Sequence, residues 1–159
     1  MDGKTVKESA VIMAQVMGPP DTNPAGNVHG GVIMKLIDVA AGVVAHRHSR
    51  VNSVTASIDR LDFLYPVFSG DLVTCKACLN YVGRTSMEIG VRVESENLLT
   101  GEVRHTASAY LTYVALDKAS RPIILPPLIL ETEEEKRRNR EAQSRREIRL
   151  REKKSEKDG

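Results

Sequence analysis

Asp38 is the single acid in a nearly unbroken apolar stretch, Val32-Ile33-Met34-Lys35-Leu36-Ile37-Asp38-Val39-Ala40-Ala41-Gly42-Val43-Val44-Ala45, bounded by His29 and His46. A helix that is apolar almost all round is a buried helix. An ionised carboxylate inside one is costly unless it is paired, hydrogen-bonded or open to a wet cleft. Asp38 is therefore expected to face an active site; the structural alternative is an ion pair with Lys35 or a neighbouring chain. Upstream lies a polar loop, Asp21-Thr22-Asn23-Pro24-Ala25-Gly26-Asn27-Val28-His29-Gly30-Gly31. Gly30 and Gly31 lead into the helix and leave its first N–H groups uncovered, an end suited to a developing oxyanion. Paired glycines also make a tight turn, and Asn23 before Pro24 is a common turn starter.

The elements that must hold these residues follow from periodicity. A strand is expected near Ser9 to Val16, then the loop, the central helix, and strands over Ser53–Leu61, Leu72–Val82, Ser86–Glu96 and Val103–Ala115. The clearest is the fourth, where Met87, Ile89, Val91 and Val93 alternate with Glu88, Gly90, Arg92 and Glu94, as on a sheet with one buried and one wet face. Asn97-Leu98-Leu99-Thr100-Gly101 reads as a hairpin connection. One early helix followed by antiparallel strands predicts an α+β architecture, a curved antiparallel sheet of about five strands wrapped around one long central helix. Such a sheet leaves much of the helix bare, so two copies are expected to pair.

The 159 residues, 41% hydrophobic and 28% charged, suit one domain with a tail. Lys35 and Asp38 interrupt the best apolar run, and the N-terminus has neither signal- nor transit-peptide character, which sets the expectation of a soluble, cytoplasmic protein without a membrane role. Residues 1–130 carry 12 basic and 12 acidic side chains, residues 131–159 carry 11 and 9, so the tail supplies the formal +2. Thr132 and Glu135 fit a capping box, and Glu133/Arg137, Glu134/Arg138, Glu141/Arg145 and Glu147/Arg151 fall at i,i+4. Ala142, Ile148 and Leu150 are too few for a core-facing stripe, so residues 131–159 read as a solvated or partly frayed helix. Interleaved acids and the lack of aromatics there argue against nucleic acid as a partner. Cys75 and Cys78, three apart on a strand, point to opposite faces and share no metal; His46 and His48, two apart on a helix, do not face each other either.

Taken together, Asn23-Pro24-Ala25-Gly26-Asn27-Val28-His29-Gly30-Gly31, Asp38 seven residues on, Asp62-Phe63-Leu64-Tyr65-Pro66, Val82-Gly83-Arg84-Thr85-Ser86 and Ser95-Glu96-Asn97-Leu98-Leu99-Thr100-Gly101 resemble the hotdog-fold acyl-CoA thioesterases. The resemblance runs from about Met17 to Leu130 and is to the group of the bacterial YciA-type and brain-type cytosolic enzymes. It implies hydrolysis of fatty acyl-CoA to free acid and CoA without metal or organic cofactor, CoA being part of substrate and product. By resemblance Asp38 is the catalytic acid, as general base or as nucleophile through an anhydride. Asn23 of one subunit then acts beside Asp38 of the partner, and His29, Gly30 and Gly31 form the surface that holds the thioester. Gly83, Arg84, Thr85 and Ser86 contact the CoA nucleotide, where an Arg and two hydroxyls offer charge-assisted bonds to phosphate. The implied assembly is a homohexamer, a trimer of dimers. Two other functions fit the same fold: an enoyl-CoA hydratase or dehydratase, for which His29 is the available histidine, and a non-catalytic acyl-CoA sensor.

Overall fold

A computed structural model describes residues 1–159. Strands β1 (Lys4–Thr5) and β2 (Val11–Val16) precede helix α1 (Gly30–Ser49); β3 (Ser53–Phe63), β4 (Leu72–Val82), β5 (Ser86–Glu96), β6 (Val103–Ala115), the short β7 (Leu128–Ile129) and helix α2 (Glu133–Asp158) follow. Three strands have the bounds the alternation predicts. The first begins at Val11 rather than Ser9, because the N–H groups of Ser9 and Ala10 are already bonded to Val6 O in a turn. The next runs past Leu61 to Phe63, since a bulge restores pairing at Asp62 with Ser108 and Phe63 with Ala107.

The main sheet is antiparallel in the order β2-β4-β5-β6-β3, which leaves β2 and β3 as its edges, and β1 pairs with β7 separately. Register fixes which residues share a face. Leu79, Ile89, Leu111 and Ile58 form one row across four strands, and Ala77, Val91 and Ala109 another. Against these rows α1 buries Ile33, Ile37, Ala40, Ala41, Val44 and Ala45. The alanines keep helix and sheet close, and the larger side chains supply apolar burial at roughly 25 cal/mol per Å². At the helix end, buried His48 bonds Pro126 O through Nε2 at 2.7 Å, tying the C-terminal segment to α1. Burial holds its pKa below the usual histidine value.

The tail corrects the expectation of a solvated helix. Thr132 and Glu135 form the capping box, Glu135 N donating to Thr132 Oγ1 and Thr132 N to Glu135 Oε2, both at 3.1 Å. Of the i,i+4 pairs, Glu134–Arg138 and Glu147–Arg151 form, while Arg145 turns inward. The helix docks on the outer face of the sheet through polar groups. Glu88, only 2% exposed, accepts from Arg145 Nε at 3.0 Å and Nη2 at 2.6 Å and from Asn80 Nδ2 at 3.0 Å. Arg145 also stacks 3.7 Å over the Tyr110 ring, Asn139 Nδ2 donates to Asn80 O at 3.0 Å, and Ala142 is buried. The face of β5 expected to be wet is thus roofed at Glu88. Gly90 is required there, since a Cβ would stand 2.7 Å from Asn80 Nδ2.

Removing one partner of a buried charge pair leaves the other uncompensated. Arg145→Ala is expected to lower the unfolding free energy by about 3 kcal/mol, measured by urea denaturation. Lys136→Ala, which breaks an exposed pair with Glu133, is expected to change it by less than about 0.5 kcal/mol.

Candidate active site

Asp38 lies midway along α1, half-buried, with no ion pair to Lys35 or any other cation. Two hydroxyls hold it instead. Thr55 Oγ1 on β3 donates to Asp38 Oδ1 at 2.7 Å, and Tyr113 Oη on β6 donates to the same oxygen at 2.6 Å while lying 2.9 Å from the Asp38 main-chain carbonyl. Burial, and then the bond to Asp38, push the Tyr113 phenol well above its usual pKa, so it stays protonated and donates. Gly42 lies one turn on from Asp38 beside the phenol; a Cβ there would meet Tyr113 Oη at 3.6 Å, an ordinary contact. Oδ1 is thereby occupied and Oδ2 is left without a partner. A carboxylate fixed by one oxygen and free at the other is oriented to take a proton or to attack.

The loop before α1 has the form its sequence suggests. Asn23 Oδ1 accepts from Ala25 N at 3.0 Å and Asn27 N at 3.1 Å, an Asx-type turn that leaves its Nδ2 as the available donor. His29 is the residue preceding α1, exposed, its N–H on Asp21 O at 2.9 Å. The Gly30 and Gly31 N–H groups have no acceptor, and the first-turn bonds to His29 O start at Val32. A Cβ on Gly31 would meet nothing within 4 Å, whereas one on Gly30 would face the Phe63 ring at 3.4 Å.

Within one protomer these donors do not meet Asp38. Gly30 and Gly31 precede it by eight and seven residues on the same helix, about 12 and 10 Å along the axis at 1.5 Å per residue. A reacting carbonyl must be about 3 Å from both nucleophile and oxyanion donors, which one helix of this length forbids.

The turn joining β4 to β5 holds Gly83, Arg84, Thr85 and Ser86. Gly83 N is used, bonded to Ser86 O at 2.8 Å, while the N–H groups of Arg84 and Thr85 have no acceptor and the exposed Arg84 guanidinium has no partner. Thr55, Tyr113 and Met87 lie in one row, so the turn sits at the same end of the sheet as Asp38, about 10 Å across from Thr55 at two strand spacings.

Thr55 and Tyr113 escaped the sequence reading. The signal for Tyr113 was a phenol at an inward position among Ala107, Ala109, Leu111 and Ala115, because a buried tyrosine hydroxyl needs a partner. Cys75 is buried against the core, its thiol pushed up to about 11 by burial, while Cys78 lies on the outer face beside Arg138, opposite sides as strand alternation requires. A cleft of about 570 Å³ between β2, the sheet and α2 opens on that outer face and does not reach Asp38. No helix is long and apolar enough to cross a membrane.

Comparison with known proteins follows the same residues. A family model described as the thioesterase superfamily matches residues 25–102. An uncharacterized acyl-CoA thioester hydrolase of Bacillus subtilis is 43% identical over 129 residues, 81% of this chain and 75% of that protein. The cytosolic acyl coenzyme A thioester hydrolase of Rattus norvegicus is 38% identical over 143 residues, and this chain spans 38% of its length. A hexameric acyl-CoA thioesterase in its apo form superposes with a TM-score of 0.91 at 39% identity, over 96% of this chain and 97% of that one. An acyl-CoA hydrolase of Staphylococcus aureus, solved with butyryl coenzyme A, coenzyme A and coenzyme A disulfide, has a TM-score of 0.89 at 33% identity, over 98% and 94%. That hydrolase has also been solved with an asparagine, an aspartate or a threonine replaced by alanine, at the separations of Asn23, Asp38 and Thr55 here. With its five-stranded sheet around α1, the chain has the hotdog fold and belongs to the thioesterase superfamily.

Proposed function

We propose that this chain is an acyl-CoA thioesterase acting on fatty acyl-CoA, with each site shared between two copies. The observation that carries the reading is Asp38 itself, a carboxylate on a buried helix, fixed at Oδ1 by Thr55 and Tyr113 and free at Oδ2. Water adds to the thioester carbonyl as Oδ2 takes its proton; the tetrahedral oxyanion collapses, the C–S bond breaks as the Asp38 carboxyl returns that proton to sulfur, and CoA leaves as a thiol with the free acid. The covalent variant has Oδ2 attack the carbonyl, expelling CoA thiolate and leaving an anhydride that water opens. In both, the oxyanion is taken up by the free N–H groups of Gly30 and Gly31, with His29 beside them and Asn23 Nδ2 holding the water or thioester. Arg84, with the free amides and hydroxyls of its turn, receives the CoA nucleotide phosphates.

Sharing follows from the helical separation of Asp38 from its own Gly30 and Gly31, which a second copy alone supplies within reach. The surface beside Asp38 supports the same pairing. Met34 and Val39 on α1 and Ile58 and Phe63 on the edge strand β3 are all large, apolar and 38–49% exposed, side chains of the kind buried between subunits. The edge of β3, with unpaired backbone groups, adjoins them. Homo-oligomerisation, with a hexamer as in the related apo thioesterase, completes the reading.

Thiol release from a series of acyl-CoAs, acetyl to palmitoyl, tests the activity, and Asp38→Ala is expected to reduce it by a factor of about 10³ or more. No release by the wild type on any chain length would sink the enzymatic reading. Tyr113→Phe, which keeps the ring and removes one bond to Oδ1, is expected to lower kcat about tenfold with KM nearly unchanged. Subunit mixing tests the shared site. Asn23→Ala and Asp38→Ala proteins, each inactive, are expected to recover about a quarter of wild-type activity when refolded together at equal amounts, because half the dimers then contain one intact site of two. Absence of recovery would place both residues in one chain's site.

A further inference from the structure

Helix α2 crosses the sheet from strand to strand. Its anchors run from Cys78 and Asn80 on β4, through Glu88 on β5 and Tyr110 on β6, to Asp59 on β3, where Arg149 Nη1 donates to Asp59 Oδ2 at 2.7 Å. Cys78, Gly90, Tyr110 and Asp59 are register partners, so the helix runs nearly at right angles to the strands. The lengths agree. From Arg138 to Arg149 the helix rises about 16 Å, and the three inter-strand steps from β4 to β3 span about 14 Å.

The helix does not stop at that edge. Leu150–Asp158 continue it for nine residues, every one exposed. They project about 13 Å past β3, more than two strand spacings. An overhang touching nothing gains no packing to offset the ordering of its chain.

We infer that α2 is an intersubunit strap, its overhang lying on a second copy of this chain and crossing the seam at Leu150 and Arg151. The inference rests on the pairing of two copies at β3 proposed above. Two features identify the occupant. Ile148 and Leu150 are the only large apolar side chains on α2, 52% and 49% exposed. They flank the sheet-facing Arg149 by about 100° on either side. Whichever flank the symmetry-related helix takes, an apolar side chain of each copy meets its equivalent, as an isologous contact requires. Charge is compatible with that occupant: the overhang carries Arg151, Lys153, Lys154 and Lys157 against Glu152, Glu156 and Asp158, and on the outer face of β3 the exposed Asp62 has only Arg60 near it, at 3.9 Å.

Truncation after Arg149 keeps every anchor of α2 on its own sheet and removes the overhang alone. Sedimentation equilibrium over a dilution series is expected to show two-copy association weakened about tenfold or more. A truncated chain that still forms dimers at the full chain's concentration overturns the strap, including the case in which a larger assembly is lost and dimers persist. Ile148→Cys and Leu150→Cys, one on each flank and each made in a Cys78→Ser background, supply a second test, since the strap brings one of the two against its equivalent and Cys75 is buried in the core. Mild oxidation of that one is expected to give a covalent dimer on a non-reducing gel. A chain that sediments as a dimer or larger and yields no covalent dimer from either variant overturns the strap while leaving the pairing intact. A full chain that sediments as a monomer overturns the pairing and the strap with it.

Discussion

The contact on which the rest of the molecule depends is the pair of hydroxyl bonds to Asp38 Oδ1. A carboxylate halfway along a buried helix is tolerable only if polar groups reach it across the helix–sheet interface. Thr55 and Tyr113 do so from β3 and β6, the last two strands in the sheet order. That contact sets where α1 lies over the sheet, which end of the helix meets the edge, and why Oδ2 rather than Oδ1 is left for chemistry. Two donors on one oxygen also orient the carboxylate without neutralising it, as an ion pair with Lys35 would.

The two faces of the sheet solve the burial problem by different means. Toward α1, rows of aliphatic side chains exclude water, and polar groups are few: the Asp38 cluster at mid-helix, and His48 and Ser53 near the helix end. Away from it, α2 is held by Glu88, Asn80, Arg145 and Arg149, so docking depends on geometry and complete hydrogen bonding rather than on apolar area. The same sheet therefore carries chemistry on its inner face and a charged brace on its outer one.

Much of this was legible in the sequence. Strict alternation in β5 and the lone acid in α1 are strong signals, and both name the residues that matter. Thr55 shares the inward face with Ser53, two residues earlier and before either register shift of β3, but a threonine in a run of small polar residues, Ser53-Val54-Thr55-Ala56-Ser57, carries no signal that sets it apart as the partner of a helix acid. Beyond Thr55, each shift moves later side chains to the other face, so counting by twos fails from Ser57 onward. The docking of α2 was hidden for another reason. Its sheet-facing stripe, Arg138, Ala142, Arg145 and Arg149, has helical spacing but is mostly charged, and a search for apolar periodicity passes over it. The acid that would have betrayed it, Glu88, sits on a strand position that alternation assigns to solvent.

The proposed division of the catalytic groups between two chains rests on helix geometry rather than on any particular side chain. Asp38 must sit in mid-helix, where the hydroxyls of two strands reach it, while uncovered amides exist only in the first turn of a helix. At 1.5 Å per residue those two requirements cannot be met within 3 Å of one carbonyl on a single straight helix. Shortening the helix to bring them together would take Asp38 out of the row of Thr55 and Tyr113. In the proposed pairing a second copy would resolve the conflict by bringing its own helix start to the partner's mid-helix acid, across the exposed apolar side chains of Met34, Ile58 and Phe63. Pairing would then be part of the chemistry itself, and a substitution among those side chains would act on turnover as well as on assembly.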